Sequence, residues 1–292
     1  MLSRVAIYSK ENNSKTIEGV GRLIREFSKR NIGIDLYRKD HDTEPSRYSG
    51  NVKRFTDLRA LKEMPDLVLS VGGDGTFLET MLKVNSFGIP IAGVNTGRMG
   101  FLANISEDEI GHSIDLLVQG EFEIIERSLL EITSPPELVG RDFSMALNEI
   151  TIQKGDPSMI IINVFVNGMY LNTYWADGLI VSTATGSTAY NLSVGGPILS
   201  PEDESIIISP ISPHNLTIRP IVISGESDLK MTVEGRAAEY LVTCDFRSKR
   251  VAFGQELHIA RSSRKLMTVM LKGSDFYSTL RNKLMWGADR RN

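Results

Sequence analysis

A single carboxylate set among glycines, straight after a buried strand, is the first place where this sequence could do chemistry. The apolar run Leu67-Val68-Leu69-Ser70-Val71 is followed by Gly72-Gly73-Asp74-Gly75-Thr76 and then by a helix-like segment from Thr76 to Val84. A glycine turn between a strand and a helix exposes backbone N–H groups and the positive helix end, which favour an anion, above all a phosphate. Gly72, Gly73, Gly75 and Thr76 are the candidate phosphate contacts. In an open α/β sheet, ligands bind beyond the carboxyl ends of the strands, where this turn stands. A passive phosphate cradle gains nothing from Asp74, because like charges repel. The aspartate has a use if it holds a metal ion on the phosphates or accepts a proton from an attacking hydroxyl, both of them parts of phosphoryl transfer. The plainer alternative is a tight turn with Asp74 as helix N-cap.

Three further stretches could meet a ligand. In "ADGLIVSTATGSTAYNLSVGGPILSP", Asp177-Gly178 opens a strand, and Thr185-Gly186-Ser187-Thr188-Ala189-Tyr190 reads as a hydroxyl-rich turn. Small residues and hydroxyls there permit close approach of a sugar or phosphate, and Tyr190 adds a flat face. "NTGRMGFLA" follows the strand "IPIAGV" and offers Phe101 for stacking. In "ALNEITI", Asn148 and Glu149 sit side by side in an apolar, strand-like run, where buried polar groups are costly unless paired. They mark either a bulge or a group that reads a ligand's hydroxyls.

The elements that must position these residues fall into two patterns. The first third alternates strand and helix: "RVAIYS", a helix over Ser14 to Lys29 ended by Gly33, the strand "GIDLY", a polar loop "KDHDTEPSRYSGN", then "DLVLSV", the helix from Thr76, "IPIAGV", and a helix over Glu107 to Val118. That alternation predicts an α/β domain with a parallel sheet. Beyond Gly120 strands follow one another with few helices. Asn167-Gly168 between apolar runs is a strong hairpin signal. A β-rich second domain follows, and "SDFYSTLRNKLMWG" is helical, with Phe276, Leu280 and Leu284 on one face.

Composition and missing motifs narrow the classes. The net charge of −3 provides no strong basic field for nucleic acid, and the cluster Arg261, Arg264 and Lys265 reads as a solvated loop. The single cysteine, Cys244, rules out an internal disulfide framework or a Cys-rich zinc site and reads as a buried strand thiol. The N-terminus lacks a signal-peptide core and there is no long apolar span, so no membrane partner is expected and the cytoplasm is the simplest compartment. There is no P-loop, and the turn after the first strand, "SKENNSKT", lacks the G-x-G-x-x-G fingerprint. Of the scattered histidines only His214 lies near a candidate stretch.

Taken together, "VGGDGTFL", "GVNTGRMGFLA", "ALNEITI", "WADGLIVSTATGSTAYNLSVGGPI", "PISPHNLTIRPIV" and "LRNKLMWG" resemble, in order, the NAD kinase family of bacterial type. The resemblance implies an α/β N-terminal domain over 1–122, a β-rich NAD-binding domain over 123–271, and a final helix within 272–292 that returns to the first domain. It implies transfer of the γ-phosphoryl of ATP, with polyphosphate as an alternative donor, to the adenosine 2′-hydroxyl of NAD. Mg²⁺ or another divalent metal accompanies ATP, and the protein itself contributes no metal cage. Asp74 is then the catalytic carboxylate. Gly73 and Gly75 leave room for phosphates, and Gly75 also borders NAD. Asn148 and Glu149 bind adenosine, in a pocket lined by Phe101, Thr185, Thr188, Ala189 and Tyr190. Asp177 reaches the nicotinamide end of NAD held by a neighbouring subunit, which implies a homodimer or homotetramer. The chain has Ala184 where many members have proline, and Asp245-Phe246-Arg247 where many have Asp-Gly-Gln. A diacylglycerol- or sphingosine-type lipid kinase shares the GGDGT turn, but no basic amphipathic helix is present to meet a membrane. A non-enzymatic NAD(H)-binding regulator is the other alternative, and a retained Asp74 argues against it.

Overall fold

Val20, Leu23, Ile24 and Phe27 recur every three or four residues and form the buried face of α1 (Ser14–Lys29). The computed structural model describes residues 2–10, 13–37, 52–97, 100–140 and 143–285. The Asn13 side chain caps α1 by accepting the Thr16 N–H at 2.9 Å. The helix is ended by Asn31, in the left-handed region with φ 57°, and not by Gly33, which instead opens the next strand. Asparagine tolerates that conformation almost as well as glycine, so the stop lies two residues earlier than expected.

The chain divides into two units, Met1–Ile125 with Met267–Asn292 and Glu126–Leu266. In the first, β1 (Arg4–Ser9), β2 (Gly33–Tyr37), β3 (Val52–Phe55), β4 (Leu67–Gly72), β5 (Ile91–Asn95) and β6 (Ile105–Ser106) form a parallel sheet in the order β3-β2-β1-β4-β5-β6. Every residue of β4 and β5 is buried, as parallel strands covered on both faces require. α2 (Asp74–Val84) and α3 (Ile110–Gln119) complete the α/β pattern. β3 has only Val52 and Phe55 as apolar residues, too few to be read as a strand from the sequence. The polar loop at 39–51, Arg98 and Met99, and the end of the "LRNKLMWG" stretch lie outside the described residues.

The second unit is antiparallel. β7 (Phe122–Ser134) enters it, followed by β8 (Met145–Ala146), β9 (Glu149–Lys154), β10 (Ile160–Val166), β11 (Met169–Ala176) and β12 (Gly178–Ser182). After the short helix α4 (Tyr190–Ser193) come β13 (Ile206–Ile211), β14 (Ile221–Ile223), β15 (Leu229–Glu234), β16 (Glu239–Cys244), β17 (Arg247–Ala252) and the long β18 (Glu256–Leu271). One sheet runs β14-β13-β12-β9-β16-β17, and another runs β11-β10-β15-β18. Ile150, Ile152, Leu179, Val181 and Val242 from the first, and Ile162, Val164, Met231, Val233, Leu257 and Ile259 from the second, make one core. The β10–β11 hairpin turns on Asn167 and Gly168, both at positive φ (51° and 77°), the type I′ geometry their sequence predicts. Cys244 is fully buried at the end of β16, and burial pushes its thiol up to about 12.

β18 ends back in the first unit, where Thr268 pairs with Ile91 of β5, and α5 (Phe276–Leu284) follows. Of the expected stripe on α5 only Leu280 is buried. Leu284 is exposed, so one residue anchors the helix where three were expected.

β5 is also locked to the loop that follows it. A Cβ on Gly93 would lie 2.5 Å from both the Ala103 Cα and the Leu102 carbonyl oxygen. Gly93→Ala is therefore expected to lower stability by about 1–3 kcal/mol, read as a fall in the urea midpoint. Gly111→Ala, on α3 with open space around it, changes stability by less than about 1 kcal/mol. A Gly93→Ala protein as stable as the parent would contradict this close approach.

Candidate active site

In the first unit, β4 delivers the glycine turn to the start of α2, with Gly73 as N-cap and Asp74 as the first helical residue. The N-cap reading of Asp74 is thereby corrected, because its side chain reaches across to the loop after β5. Asp74 Oδ2 accepts the Phe101 N–H at 2.9 Å, and Oδ1 accepts the N–H groups of Leu102 and Ala103, each at 3.1 Å. The approach is so close that a Cβ on Gly100 would lie 1.7 Å from Oδ1. Gly100 was not singled out in the sequence, and only the fold reveals why that position is glycine. An ionised carboxylate offers about four lone-pair sites. Oδ1 receives two hydrogen bonds and Oδ2 one, so Oδ2 is the oxygen that can take a further proton.

The glycines of this turn do different jobs. Gly72 is at φ 152°, and a Cβ there would meet Thr76 Oγ1 at 2.4 Å, so its requirement is internal. Among the described residues nothing lies within 4 Å of where a Cβ on Gly73 or Gly75 would stand. No contact with those residues demands glycine at the two positions, which fits a need for room at the helix start. Thr76 is buried under the turn. From α5, Lys283 places its Nζ 4.0 Å from Asp74 Oδ2 and 4.3 Å from the centroid of the Phe101 ring.

The second unit gathers the remaining candidates except Asp177. Asn148 lies in the bend between β8 and β9, and Glu149 opens β9. Their backbone is held by Asp245 at the β16–β17 turn, whose fully buried side chain accepts the N–H groups of Leu147 (3.0 Å), Asn148 (2.8 Å) and Glu149 (3.3 Å). The Asp245 N–H in turn donates to the Glu149 carbonyl at 3.0 Å. Asp245 adopts φ 54°, a left-handed residue that makes this turn without the family's following glycine. Burial raises its carboxyl, opposed by the three N–H donors and by Arg247. Glu149 is buried as well, and its Oε2 has no hydrogen-bond partner among the described residues. Burial, then the charge of Asp245, push its carboxyl up to about 8 against the pull of the Tyr190 N–H, so Glu149 is mostly a neutral acid at pH 7.

The stretch at 185–190 is helical rather than an open turn: a 3₁₀ segment, Thr185–Thr188, runs into α4. Most of its hydroxyls serve the protein. Thr183 Oγ1 donates to the Leu147 carbonyl (2.6 Å) and accepts the Gly186 N–H (3.0 Å). Thr185 accepts from Arg127, and Thr188 donates to the Thr185 carbonyl. A Cβ on Gly186 would lie 2.1 Å from the Asn148 carbonyl, so this glycine brings the segment against Asn148. Gly196 is glycine for a similar reason, facing the buried Asn191 amide. Thr188 and Ala189 are half-buried, and Tyr190 is exposed, with its hydroxyl accepting from Gln153. Asp177 stands apart, in an ion pair with Lys154 at 2.6 Å.

Other expectations change. Arg261, Arg264 and Lys265 lie on β18 and not in a loop. Arg261 pairs with Glu204 and Glu226, and Lys265 with Glu126 and Glu204, which cancels the basic patch. The His214 imidazole is exposed. Among the described residues no three His, Cys, Asp or Glu side chains converge as a metal site, and no helix is long and apolar enough to cross a membrane.

Known proteins resemble this chain in sequence and in fold. The family model for the ATP-NAD kinase N-terminal domain matches residues 25–122, and that for the ATP-NAD kinase C-terminal domain matches 147–271. An NAD kinase of Cytophaga hutchinsonii is 44% identical over 78% of each chain, and one of Flavobacterium psychrophilum is 38% identical over 99% of this chain and all of its own. The solved structure of an NAD kinase from Archaeoglobus fulgidus in complex with ATP superposes with a TM-score of 0.74 at 27% identity, covering 97% of this chain and 98% of the other. A yeast NADH kinase complexed with NADH shares the fold, with a TM-score of 0.83 at 22% identity over 100% and 90% of the two chains. With both of its domains matched and relatives aligned over nearly its whole length, this chain belongs to the NAD kinase family.

Proposed function

We propose that the chain transfers the γ-phosphoryl of ATP to the adenosine 2′-hydroxyl of NAD, giving NADP and ADP. The observation that carries this reading is the Asp74 carboxylate, fixed by three backbone N–H groups with one lone-pair site open, beside two glycines that no contact among the described residues requires.

In the proposed step the bond between the γ-phosphorus and the bridging oxygen breaks, and ADP leaves with the electron pair. A bond forms from the 2′-oxygen to phosphorus, and the hydroxyl proton passes to Asp74 Oδ2. A carboxylate is a far weaker base than an alkoxide. The proton therefore moves late, as the new bond forms, which a loose phosphoryl-transfer transition state allows. The Gly72–Thr76 turn and the start of α2 present N–H groups to the donor phosphates. Mg²⁺ or another divalent ion comes with ATP and supplies charge neutralisation on the phosphates. The donor set fits that arrangement: the turn offers one carboxylate, whose open oxygen faces the Lys283 ammonium, and an ion carried by ATP would ask few further ligands of the protein.

For the acceptor, Asn148 and Glu149 bind the adenosine, with Phe101, Thr188, Ala189 and Tyr190 as apolar and stacking contacts. Thr185, buried and bonded to Arg127, acts by holding that segment. Glu149 as a neutral acid can donate a hydrogen bond that a carboxylate cannot. Asp177 reaches the nicotinamide end of NAD on a second copy by exchanging its bond to Lys154, in a homodimer or homotetramer. A cytoplasmic location is part of the same proposal, since ATP and NAD are both available there.

One reaction tests the reading: protein, NAD, ATP and Mg²⁺, with NADP read by an NADP-specific dehydrogenase. NADP formation is expected, and its absence with both ATP and polyphosphate would sink the proposal. Asp74→Asn is expected to lose about a hundredfold or more in kcat, and a near-normal kcat would remove Asp74 from the mechanism. Glu149→Ala is expected to raise the KM for NAD, and an unchanged KM would refute that assignment.

Glu149 also has a signature in stability. It keeps its proton to about pH 8 when folded but releases it near 4.5 when unfolded. The stability it contributes is present below the unfolded value and is lost as pH rises through the folded one. Glu149→Gln cannot ionise, so its urea midpoint should gain on that of the parent from about pH 5 to pH 8 and then level off. A pH-independent difference would contradict the buried, neutral acid.

A further inference from the structure

Lys283 is the one cation that the described residues place against Asp74, and no hydrogen bond among those residues accounts for where it sits. Asp275 caps α5 by accepting the Ser278 N–H at 2.8 Å, and the buried Leu280 fixes the helix on the first unit. Lys283 follows Leu280 by three residues, so its side chain leaves the same face one turn later. Its neighbour Arg281 is exposed. Lys283 reaches the turn, with Nζ 4.0 Å from Asp74 Oδ2 and 4.3 Å from the Phe101 ring centroid.

At that distance the ammonium does not donate to Asp74. The carboxylate does not depend on it either, having three backbone donors of its own. Among the described residues the Lys283 side chain makes no hydrogen bond, so its three N–H groups are available, and the Phe101 face below holds it in place without using them. A half-buried ammonium with available donors, next to the one carboxylate oxygen with an open lone pair, is suited to a polyanion that must approach that carboxylate.

Resting on the NAD kinase reading, we propose that Lys283 binds the transferring phosphoryl group. It donates to a γ-phosphoryl oxygen of the donor, balances the charge that Asp74 brings near it, and holds phosphorus in line with the hydroxyl. It takes part in no proton transfer, since the 2′ proton goes to Asp74. The same contact serves ATP and polyphosphate, because both present a terminal phosphoryl group.

The test uses the full-length enzyme and the variants Lys283→Met, which keeps the stem and removes the charge, and Lys283→Arg, which keeps the charge. Three quantities are compared: kcat, the KM for NAD, and the Kd of inorganic tripolyphosphate by calorimetry. Wild-type NADP formation in the same assay checks the underlying activity separately. For Lys283→Met the expected result is a kcat lower by roughly 10- to 100-fold, weaker tripolyphosphate binding and an unchanged KM for NAD, with Lys283→Arg recovering most of the tripolyphosphate affinity. A Lys283→Met enzyme with wild-type kcat and tripolyphosphate Kd overturns the proposal. So does one in which only the KM for NAD rises, since that would make Lys283 a support for Phe101. If Lys283→Met fails to fold, as judged by its thermal transition, the charge-preserving variant decides: tripolyphosphate affinity in Lys283→Arg at the wild-type level supports the proposal, and its loss with the fold intact overturns it.

Discussion

Three backbone N–H groups from residues 101–103 converge on one carboxylate, and the rest of the first unit can be read as what makes that possible. Asp74 is at the start of α2, at the end of the buried β4, while the donors lie just beyond the neighbouring β5. The register of β4 against β5, with Gly72 opposite Asn95, brings the two strand ends level. Gly93 lets residues 102–103 close onto β5, and Gly100 lets the loop close onto the carboxylate. Charge-assisted hydrogen bonds of this kind are roughly twice as strong as neutral ones, so the side chain's direction is set before any ligand arrives. Such preorganisation is what phosphoryl transfer asks of a protein, since positioning and charge placement carry most of its catalysis.

The second unit repeats the device with a different carboxylate. Asp245 gathers the N–H groups of residues 147–149 and thereby fixes Asn148 and Glu149, as Asp74 gathers those of residues 101–103. The two differ in what the carboxylate is for. Asp245 is fully buried and serves the backbone, whereas Asp74 keeps one oxygen partly open beside Lys283. Placing Asp245 near Glu149 raises the cost of charging Glu149, and the result is a buried neutral acid with an unsatisfied oxygen. A buried polar atom without a partner is costly, and a ligand hydroxyl or ring nitrogen is the natural way to relieve it.

Much of this was legible in the sequence because it is local. α1, the strands on either side of it and the Asn167-Gly168 hairpin follow from periodicity and turn chemistry within a few residues. The Gly72–Thr76 turn was found the same way. What the sequence hid depends on partners far along the chain. Gly100 and Asp245 matter because of atoms 26 and about a hundred residues away. The hydroxyl-rich stretch 185–190 gives no hint in the sequence that Ser187 and Thr188 also bond to nearby backbone, as Ser and Thr readily do. Lys283 was one charged residue in an amphipathic helix until α5 was seen beside Asp74.

In the proposed mechanism Asp74 Oδ2 takes a proton and does not hold the metal ion, since the Lys283 ammonium already lies beside that oxygen. The most direct test is the affinity for Mn²⁺–ATP, measured by electron paramagnetic resonance, in the parent and in Asp74→Asn. The account predicts affinities that agree within about twofold, because the ion is held by the donor's phosphates. A loss of about tenfold or more on replacing Asp74, the scale expected when a metal site's ligation is disturbed, would contradict it.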